Sequence, residues 1–262
     1  MSETMRIGAI DVMPVVDGRA MLPATEAFAG TTDEQWAQHR QFLTDDGRIE
    51  LALGGFLVRS GDHVVLVDTG VGRVQGLFDG GRLLNSLAAY GVAPTDVTDV
   101  VFTHLHFDHV GWATQRGEIV FPNATYRCDE RDWAHFVGPD PGATKKLSPL
   151  EGRLATWSAS VPLLPGIDTM VAPGHTPGST IIVLSSGADR AMLLGDVVHC
   201  PVQLVDDEWA SLFDVDPALA RKTRTALARE IEGSDTPVAA AHFPGMQFGR
   251  LIKAEGRRRW VV

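Results

Sequence analysis

Four side chains that commonly bind metal ions fall within six positions of this sequence. His104, His106, Asp108 and His109 directly follow the apolar run at residues 97–103. Residues two apart in an extended segment point to the same side, so His104 and His106 can hold one ion. The turn that follows would direct Asp108 and His109 toward a second ion. The cluster therefore predicts two adjacent sites for divalent metals.

Further ligand candidates occur where later apolar segments end. His175 follows Ala172-Pro173-Gly174, Asp196 follows Leu194-Gly195, and His242 follows Ala241. Two ions need more than four protein ligands, so we expect these three residues to complete the sites. Imidazole nitrogens and carboxylate oxygens suit zinc, manganese, iron, cobalt or nickel, and we take zinc as the first choice.

Strands and helices that could position these residues alternate along the chain. A helix is predicted at residues 217–232, with Asp216 as its N-cap and Gly233 after its end. Residues 19–50 are irregular, and we expect a long loop and short helix (32–42) inserted near the active site. Strands are predicted at residues 7–16 (ending in a turn at Asp17-Gly18), 55–60 and 63–68 (joined by a hairpin at Gly61-Asp62), 97–103, 125–128, 170–172, 179–184, 191–194 and 238–241.

The composition is that of an ordinary globular protein, and we predict a single domain over residues 1–262. Hydrophobic residues make up 44% and charged residues 21%, and the net charge is -10. This acidity argues against nucleic acid as a partner. No apolar stretch approaches the roughly 20 residues of a membrane helix, and no signal peptide is evident. We therefore expect a cytoplasmic protein with a small-molecule substrate and no membrane partner.

The order of these motifs resembles the metallo-β-lactamase superfamily, from about Leu51 to His242. The resemblance implies an α/β fold, a four-layer αβ/βα sandwich. It also implies that one metal is held by His104, His106 and His175, the other by Asp108, His109 and His242, and that Asp196 bridges both. Asp68 matches the carboxylate of the first motif, and we expect it to hold a ligand histidine in one tautomer.

Three segments narrow the resemblance to the acyl-homoserine-lactonase and methyl-parathion-hydrolase branch. These are Gly195-Asp196-Val197-Val198-His199, the long aromatic-bearing region before Leu53-Gly54-Gly55-Phe56, and Ala241-His242-Phe243-Pro244-Gly245. Lactonases of this branch often carry a tyrosine three residues after the bridging aspartate, where this chain has His199. That departure puts typical homoserine-lactonase activity in question. The branch commonly forms homodimers, which is the expectation for this chain.

Two close cations predict hydrolysis, because a shared water loses a proton near neutral pH and becomes a strong nucleophile. The metal-bridging hydroxide would attack a lactone or carboxylic ester. The alternatives are an organophosphate triester or a phosphodiester, a thioester as in glyoxalase II, or a non-catalytic metal-binding module. We expect Asp108 to accept or relay a proton and His199 either to contact a substrate oxygen or to orient Asp196.

Aromatic side chains are the candidates for the substrate pocket. An apolar cleft would suit an acyl or aromatic substrate better than a highly charged one. The alternative is that most of these side chains simply pack in the core. The candidates are Phe28, Trp36, Phe107, Trp112 and Phe243.

Overall fold

The structure is a computed structural model that describes residues 4–28, 30–206 and 208–262. The strands, in chain order, are β1 (Met5–Ile7), β2 (Ile10–Pro23), β3 (Arg48–Ser60), β4 (His63–Val67), β5 (Phe78–Asp79), β6 (Asp99–Val101), β7 (Thr114–Gln115), β8 (Glu118–Ile119), β9 (Thr125–Asp129), β10 (Leu154–Trp157), β11 (Pro162–Leu164), β12 (Ile167–Val171), β13 (Thr180–Ser186), β14 (Asp189–Leu193), β15 (Val238–Ala239), β16 (Arg250–Ala254) and β17 (Arg257–Val261). The α-helices are α1 (Ala24–Ala27), α2 (Asp33–Trp36), α3 (Leu83–Ala89), α4 (Glu130–Phe136), α5 (Pro141–Leu147), α6 (Val202–Val205) and α7 (Pro217–Ile231).

Two sheets form the centre of the molecule. The first has the order β1-β2-β3-β4-β6-β9-β10, with β5 paired to β2, and the second has the order β11-β12-β13-β14-β15. Successive side chains of a strand point to opposite faces. The sheets pack face to face, because Val58 and Val65 of the first share a buried cluster with Ile182 and Leu193 of the second.

Helices cover the outer faces of both sheets. Leu83 and Leu87 of α3 pack in the cluster on the outside of the first sheet. Leu227 and Ile231 of α7 pack with Ile181 on the outside of the second. The result is the predicted mixed α/β fold, layered αβ/βα. No α-helix in the described part of the chain combines the length and apolarity that crossing a bilayer would require.

The predicted turn at Asp17-Gly18 is wrong, because β2 continues through it to Pro23. The register against β3 shifts between Val16 and Gly18, which is a β-bulge. A Cβ atom on Gly18 would lie 1.8 Å from the carbonyl oxygen of Asp79, so the pairing with β5 needs glycine here. An Asp-Gly pair is equally typical of a turn and of a bulge, and only the long partner strand distinguishes them.

The predicted insertion at residues 19–50 is therefore shorter than expected. Its two ends belong to β2 and β3, and the excursion between them covers residues 24–47. The predicted helix at 32–42 is two short pieces, α2 and a 3-10 helix at Arg40–Phe42. Helices this short gain little from propagation and depend on tertiary packing. By contrast, α7 begins as predicted, with the Asp216 side chain accepting from Leu219 N.

Candidate metal centre

The predicted ligands and Asp68 meet in the loops that follow five strands. Asp68 follows β4, and the segment from His104 to His109 follows β6 of the same sheet. In the second sheet His175 follows β12, Asp196 follows β14 and His242 follows β15. Because β4 and β6 run parallel, as do β14 and β15, their carboxyl ends lie at one edge of each sheet. The sandwich brings these two edges together.

The seven residues form two groups joined by one carboxylate. In the first, His106 Nδ1 lies 3.1 Å from His104 Nε2 and 2.8 Å from His175 Nε2. In the second, Asp108 Oδ2 lies 4.0 Å from His109 Nε2 and 3.5 Å from His242 Nε2.

Asp196 touches both groups. Its Oδ1 lies 3.2 Å from His109 Nε2, and its Oδ2 lies 3.1 Å from His242 Nε2. The same Oδ2 lies 3.5 Å from His175 Nε2 and 3.7 Å from His104 Nε2. A carboxylate placed in this way can bind an ion in each group at once.

The outer nitrogens of two ligand histidines are fixed by Asp68. Its Oδ2 lies 2.9 Å from His109 Nδ1 and accepts from Thr103 Oγ1 at 2.7 Å. Since Thr103 gives its proton to Asp68, its oxygen accepts from His104 Nδ1 at 3.1 Å. Both histidines then carry their proton on Nδ1 and present a lone pair at Nε2 toward the centre. Asp68 lies in a left-handed backbone conformation with a φ of 60°.

Two of the other three ligand histidines also direct their outer nitrogens at oxygen atoms. His242 Nδ1 donates to the carbonyl oxygen of Ala52 at 2.8 Å, and His175 Nδ1 lies 3.1 Å from Asp214 Oδ1. Metal-binding histidines characteristically donate their second N–H in this way. Asp214 is a buried partner that the sequence gave no reason to select.

The converging lone pairs fit a bound cation. His109 Nε2 and Asp196 Oδ1 are buried, and neither has a hydrogen-bond partner among the described residues. Buried acceptors that face one another are unfavourable unless a proton or a metal ion lies between them. Histidine nitrogens with carboxylate oxygens, without cysteine, suit zinc and its first-row neighbours.

Burial and neighbouring charge shift the pKa values of four histidines in opposite directions, two in each group. Burial lowers the pKa of His104 well below its ordinary value and that of His106 to about 3. Burial also disfavours protonation of His109 and His242, but the carboxylates of Asp196 and Asp108 outweigh it and raise both pKa values. In the metal-free protein at pH 7, the extra proton therefore lies on the His109 side.

Zinc binding to the metal-free protein at pH 7 should release about one proton per chain or more, mainly from His109 and His242. Calorimetric titration in buffers of different ionisation enthalpy measures this number. His104 and His106 contribute nothing because they are already neutral. As a matched variant, Asp68→Asn removes one carboxylate that raises the pKa of His109, and it should release fewer protons. Zinc uptake without proton release in the wild-type protein would contradict this assignment.

Asp132 accepts hydrogen bonds from the two chain segments that carry the histidines of the first group. Its Oδ2 accepts from Leu105 N at 3.0 Å and from Thr176 Oγ1 at 2.9 Å, and its Oδ1 accepts from Gly178 N at 2.6 Å. Leu105 lies between two ligand histidines and Thr176 follows a third. Burial raises the pKa of Asp132. In the sequence it looks like one of several charged residues at a helix start, so no local signal identifies it.

A cavity of about 130 Å³ opens above the centre. His106, Asp108, Asp196 and His242 form its polar side, and Phe107 lies on its wall with 56% of its surface exposed. A second cavity, of about 440 Å³, lies on the other side of His106 and Phe107. Phe107 thus lies where the sequence predicted, on the wall of a pocket.

The other four predicted pocket aromatics lie away from this cavity, which corrects the sequence-based interpretation. Phe28 and Trp36 are buried together, with ring centroids 5.6 Å apart, beneath the excursion at residues 24–47. Trp112 is buried and donates from Nε1 to Asp17 at 2.8 Å. Phe243 is buried against Trp260. Large aromatic side chains bury the most apolar surface, so each fills the nearest core.

His199 lies on the cavity wall beside Asp196. Its Nε2 lies 3.3 Å from Asp196 Oδ2 and 3.4 Å from Ser211 Oγ, whereas its buried Nδ1 has no partner among the described residues. Burial lowers the pKa of His199, so the ring is neutral with one N–H. The Asp196 carboxylate can only accept a hydrogen bond, which places the proton of His199 on Nε2, toward Asp196 and the cavity.

The family model described as the metallo-beta-lactamase superfamily matches residues 55–242. The chain therefore belongs to the metallo-β-lactamase superfamily. Its relatives include N-acyl homoserine lactonase AiiA of Bacillus thuringiensis subsp. kurstaki, 23% identical over 216 residues, with 75% of this chain and 82% of the relative covered. Metallo-beta-lactamase domain-containing protein 1 of Xenopus laevis is 30% identical over 217 residues, with 80% of each chain covered.

Solved structures of the same class share the whole fold. AidC, described as a dizinc quorum-quenching lactonase, gives a TM-score of 0.90 at 23% identity, with 99% of this chain and 96% of that chain covered. The structure of the hydrolase AbOPH gives a TM-score of 0.87 at 24% identity, with 98% of this chain and 96% of that chain covered. The family and fold that the motifs predicted are confirmed, and the relatives with a stated activity are metal-dependent hydrolases.

Proposed function

We propose that this protein is a dinuclear-metal-dependent hydrolase that acts on a lactone or carboxylic ester with an apolar acyl group. The observation that carries the proposal is the Asp196 carboxylate, which contacts both histidine groups at the base of a cavity with apolar walls. Its lactonase relatives, AiiA among them, favour the same reaction.

We assign one ion to each of the two histidine groups described above. His104, His106 and His175 hold one ion, Asp108, His109 and His242 hold the other, and Asp196 contacts both. Zinc is the first choice, and manganese, iron, cobalt or nickel suit the same donors. When bound, two such ions supply Lewis acidity, which makes water a better nucleophile and the attacked carbonyl a better electrophile.

Two side chains of the cavity can move or hold a proton. Asp108 lines the cavity and its side chain is partly exposed there, so it can accept the proton of the attacking water and pass it to the leaving alkoxide. His199 presents Nε2–H to the same space, where it can donate to the substrate oxygen on which negative charge develops.

His199→Phe is expected to lower kcat by about 10²–10³-fold, since one donor to the developing oxyanion is lost. KM and metal content should change little. His199→Gln keeps an N–H donor of similar reach and should recover part of the rate. Steady-state kinetics with metal analysis of each variant checks this. An equal loss of metal and activity in His199→Phe would assign His199 to orienting Asp196 instead.

The cavity walls favour a neutral, apolar substrate. Leu51, Phe78 and Phe213 line the cavity together with Phe107, and its lining contains no lysine or arginine among residues 4–28, 30–206 and 208–262. A phosphodiester anion would have no protein cation to pair with. The second cavity, lined largely by apolar side chains such as Val110 and Phe136, has room for an acyl chain.

A substrate panel tests the proposal. Wild-type protein with a measured metal content is assayed on acyl lactones, aryl esters, thioesters and a phosphotriester, before and after chelation and metal return. We expect chelator-sensitive opening of acyl lactones or esters to be fastest, with about two ions per chain. Faster turnover of the phosphotriester or thioester would favour the corresponding alternative. Metal-free protein with undiminished activity would overturn the proposal.

A further inference from the structure

A buried ion pair lies directly behind the ligand histidine His175. Asp214 Oδ1 lies 3.1 Å from His175 Nδ1, and Asp214 Oδ2 accepts from Arg224 Nη1 at 3.0 Å. The side chains of Asp214 and Arg224 are both fully buried. Because each carboxylate oxygen has a different partner, the Asp214 carboxylate cannot rotate without losing one of them.

Stability alone is a poor explanation for this pair. The Nε and Nη2 atoms of Arg224 are buried and have no hydrogen-bond partner in the part of the chain that the structure describes. A buried ion pair commonly contributes no more than apolar residues of similar size, because desolvation offsets the attraction. Arg224 lies on α7, whose neighbouring Leu227 and Ala228 are packed in the core, so the helix supplies a rigid anchor.

The same pair also fixes a loop at the mouth of the site. Residues 209–216, which we call the rim loop, contain Asp214. Val215 N donates to the carbonyl oxygen of His175 at 3.0 Å. Ser211 contacts His199 and Phe213 lines the cavity. Asp214 therefore joins a metal ligand and the cavity wall.

We infer that Arg224, acting through Asp214, is a positioning residue that orients His175 for metal binding and holds the rim loop against the site. The inference rests on the metal centre proposed above. Arg224 supports His175 only, since His109 and His242 are held by Asp68 and by the carbonyl oxygen of Ala52. Replacing Arg224 should therefore lower the metal affinity of the site that contains His175 and leave the affinity of the other site unchanged.

Zinc affinity tests this selectivity. Chelator-treated wild-type and Arg224→Met proteins are titrated with zinc in competition with a chromophoric chelator. We expect one of two zinc equivalents to bind about 10–100-fold more weakly in Arg224→Met, and cobalt absorption spectra to change at one site only. Arg224→Lys keeps a cation next to Asp214 and should recover part of the affinity.

Leu227→Ala is the matched control, because it removes a buried apolar side chain of α7 one helical turn from Arg224, and leucine makes no hydrogen bond or ion pair with Asp214 or His175. It should destabilise the protein and leave both zinc affinities unchanged. If Arg224→Met does not fold, the double variant Arg224→Met/Asp214→Asn can replace it, because it also removes the carboxylate charge that Arg224→Met leaves unpaired. It should show the same loss of zinc affinity at one site.

The outcomes separate the inference from the proposed function. Unchanged zinc affinity in the Arg224 variants, or an equal loss in Leu227→Ala, would overturn the role of Arg224 and leave the dinuclear hydrolase intact. A wild-type protein that binds no zinc would overturn both.

Discussion

Replacing Asp196 with alanine is expected to lower kcat/KM by on the order of 10³-fold or more and to reduce the metal content below two ions per chain. The Asp196 carboxylate places its oxygen atoms within 4 Å of histidine nitrogens in both groups. A second metal contributes several kcal/mol of transition-state stabilisation, and each 1.36 kcal/mol is a factor of ten. Kinetics and elemental analysis on the same preparations measure both effects.

A control for Asp196→Ala is available on the same strand. Asp189 is exposed and begins β14, so it lies at the opposite end of the strand from Asp196. Asp189→Ala removes the same charge and should leave activity and metal content unchanged. Activity within tenfold of wild type in Asp196→Ala, at full metal content, would contradict the bridging role.

Asp17→Ala is expected to lower the free energy of unfolding by about 3–5 kcal/mol, the largest effect on stability that we predict. Five N–H groups donate to this fully buried carboxylate. They are Gly72 N, Gly81 N, Arg82 N, Leu83 N and Trp112 Nε1, at 2.8–3.0 Å. Arg82 N also reaches the carbonyl oxygen of Asp17 at 3.1 Å, but the other four would lose the acceptor that they have in the wild-type protein.

Urea denaturation of the metal-free protein, followed by tryptophan fluorescence, measures the effect of Asp17→Ala. Asp11 lies on the same strand but is paired on the surface with Arg6, so Asp11→Ala should leave the midpoint nearly unchanged. Equal urea midpoints for Asp17→Ala and Asp11→Ala would contradict the prediction, because they would show that water replaces the carboxylate as the acceptor for these N–H groups.

Asp17 also supports the metal centre through the loop that it holds. Two loop segments approach so closely that a Cβ atom on Gly111 would lie 2.0 Å from the carbonyl carbon of Val71. Thr69 N donates to the carbonyl oxygen of His109 at 2.6 Å across the same contact. We therefore expect that metal-free Asp17→Ala will bind zinc more weakly than wild type, as well as unfold more easily.

The clustering of the proposed ligands was predictable because their signal is local. His104 and His106 are two apart at the end of an apolar strand, and His175, Asp196 and His242 each stand where a strand stops. The strand positions themselves followed from short β-branched runs. The hairpin at Gly61-Asp62 and the helix that begins after Asp216 were confirmed for the same reason, since turn and cap residues act within a few positions.

The partners of the ligands were not predictable. Asp132 and Asp214 are ordinary acidic residues in the sequence. The ligand segments that they contact lie 27 to 46 positions from Asp132 and 39 positions from Asp214. Asp17, in an apparent Asp-Gly turn, accepts from Trp112, 95 residues later. His242 donates to a carbonyl oxygen 190 residues earlier. No periodicity encodes pairings over such distances.

The sequence by itself determined the chemistry of the centre, the strands that carry it and the family, because side-chain type, spacing and strand ends are local properties. The tertiary structure alone decided which aromatic residues face the cavity, how far β2 extends, and which buried carboxylates hold the ligands in place. Those features depend on how two sheets and their covering helices pack. Packing sets which distant groups become neighbours and which side chains lose contact with water.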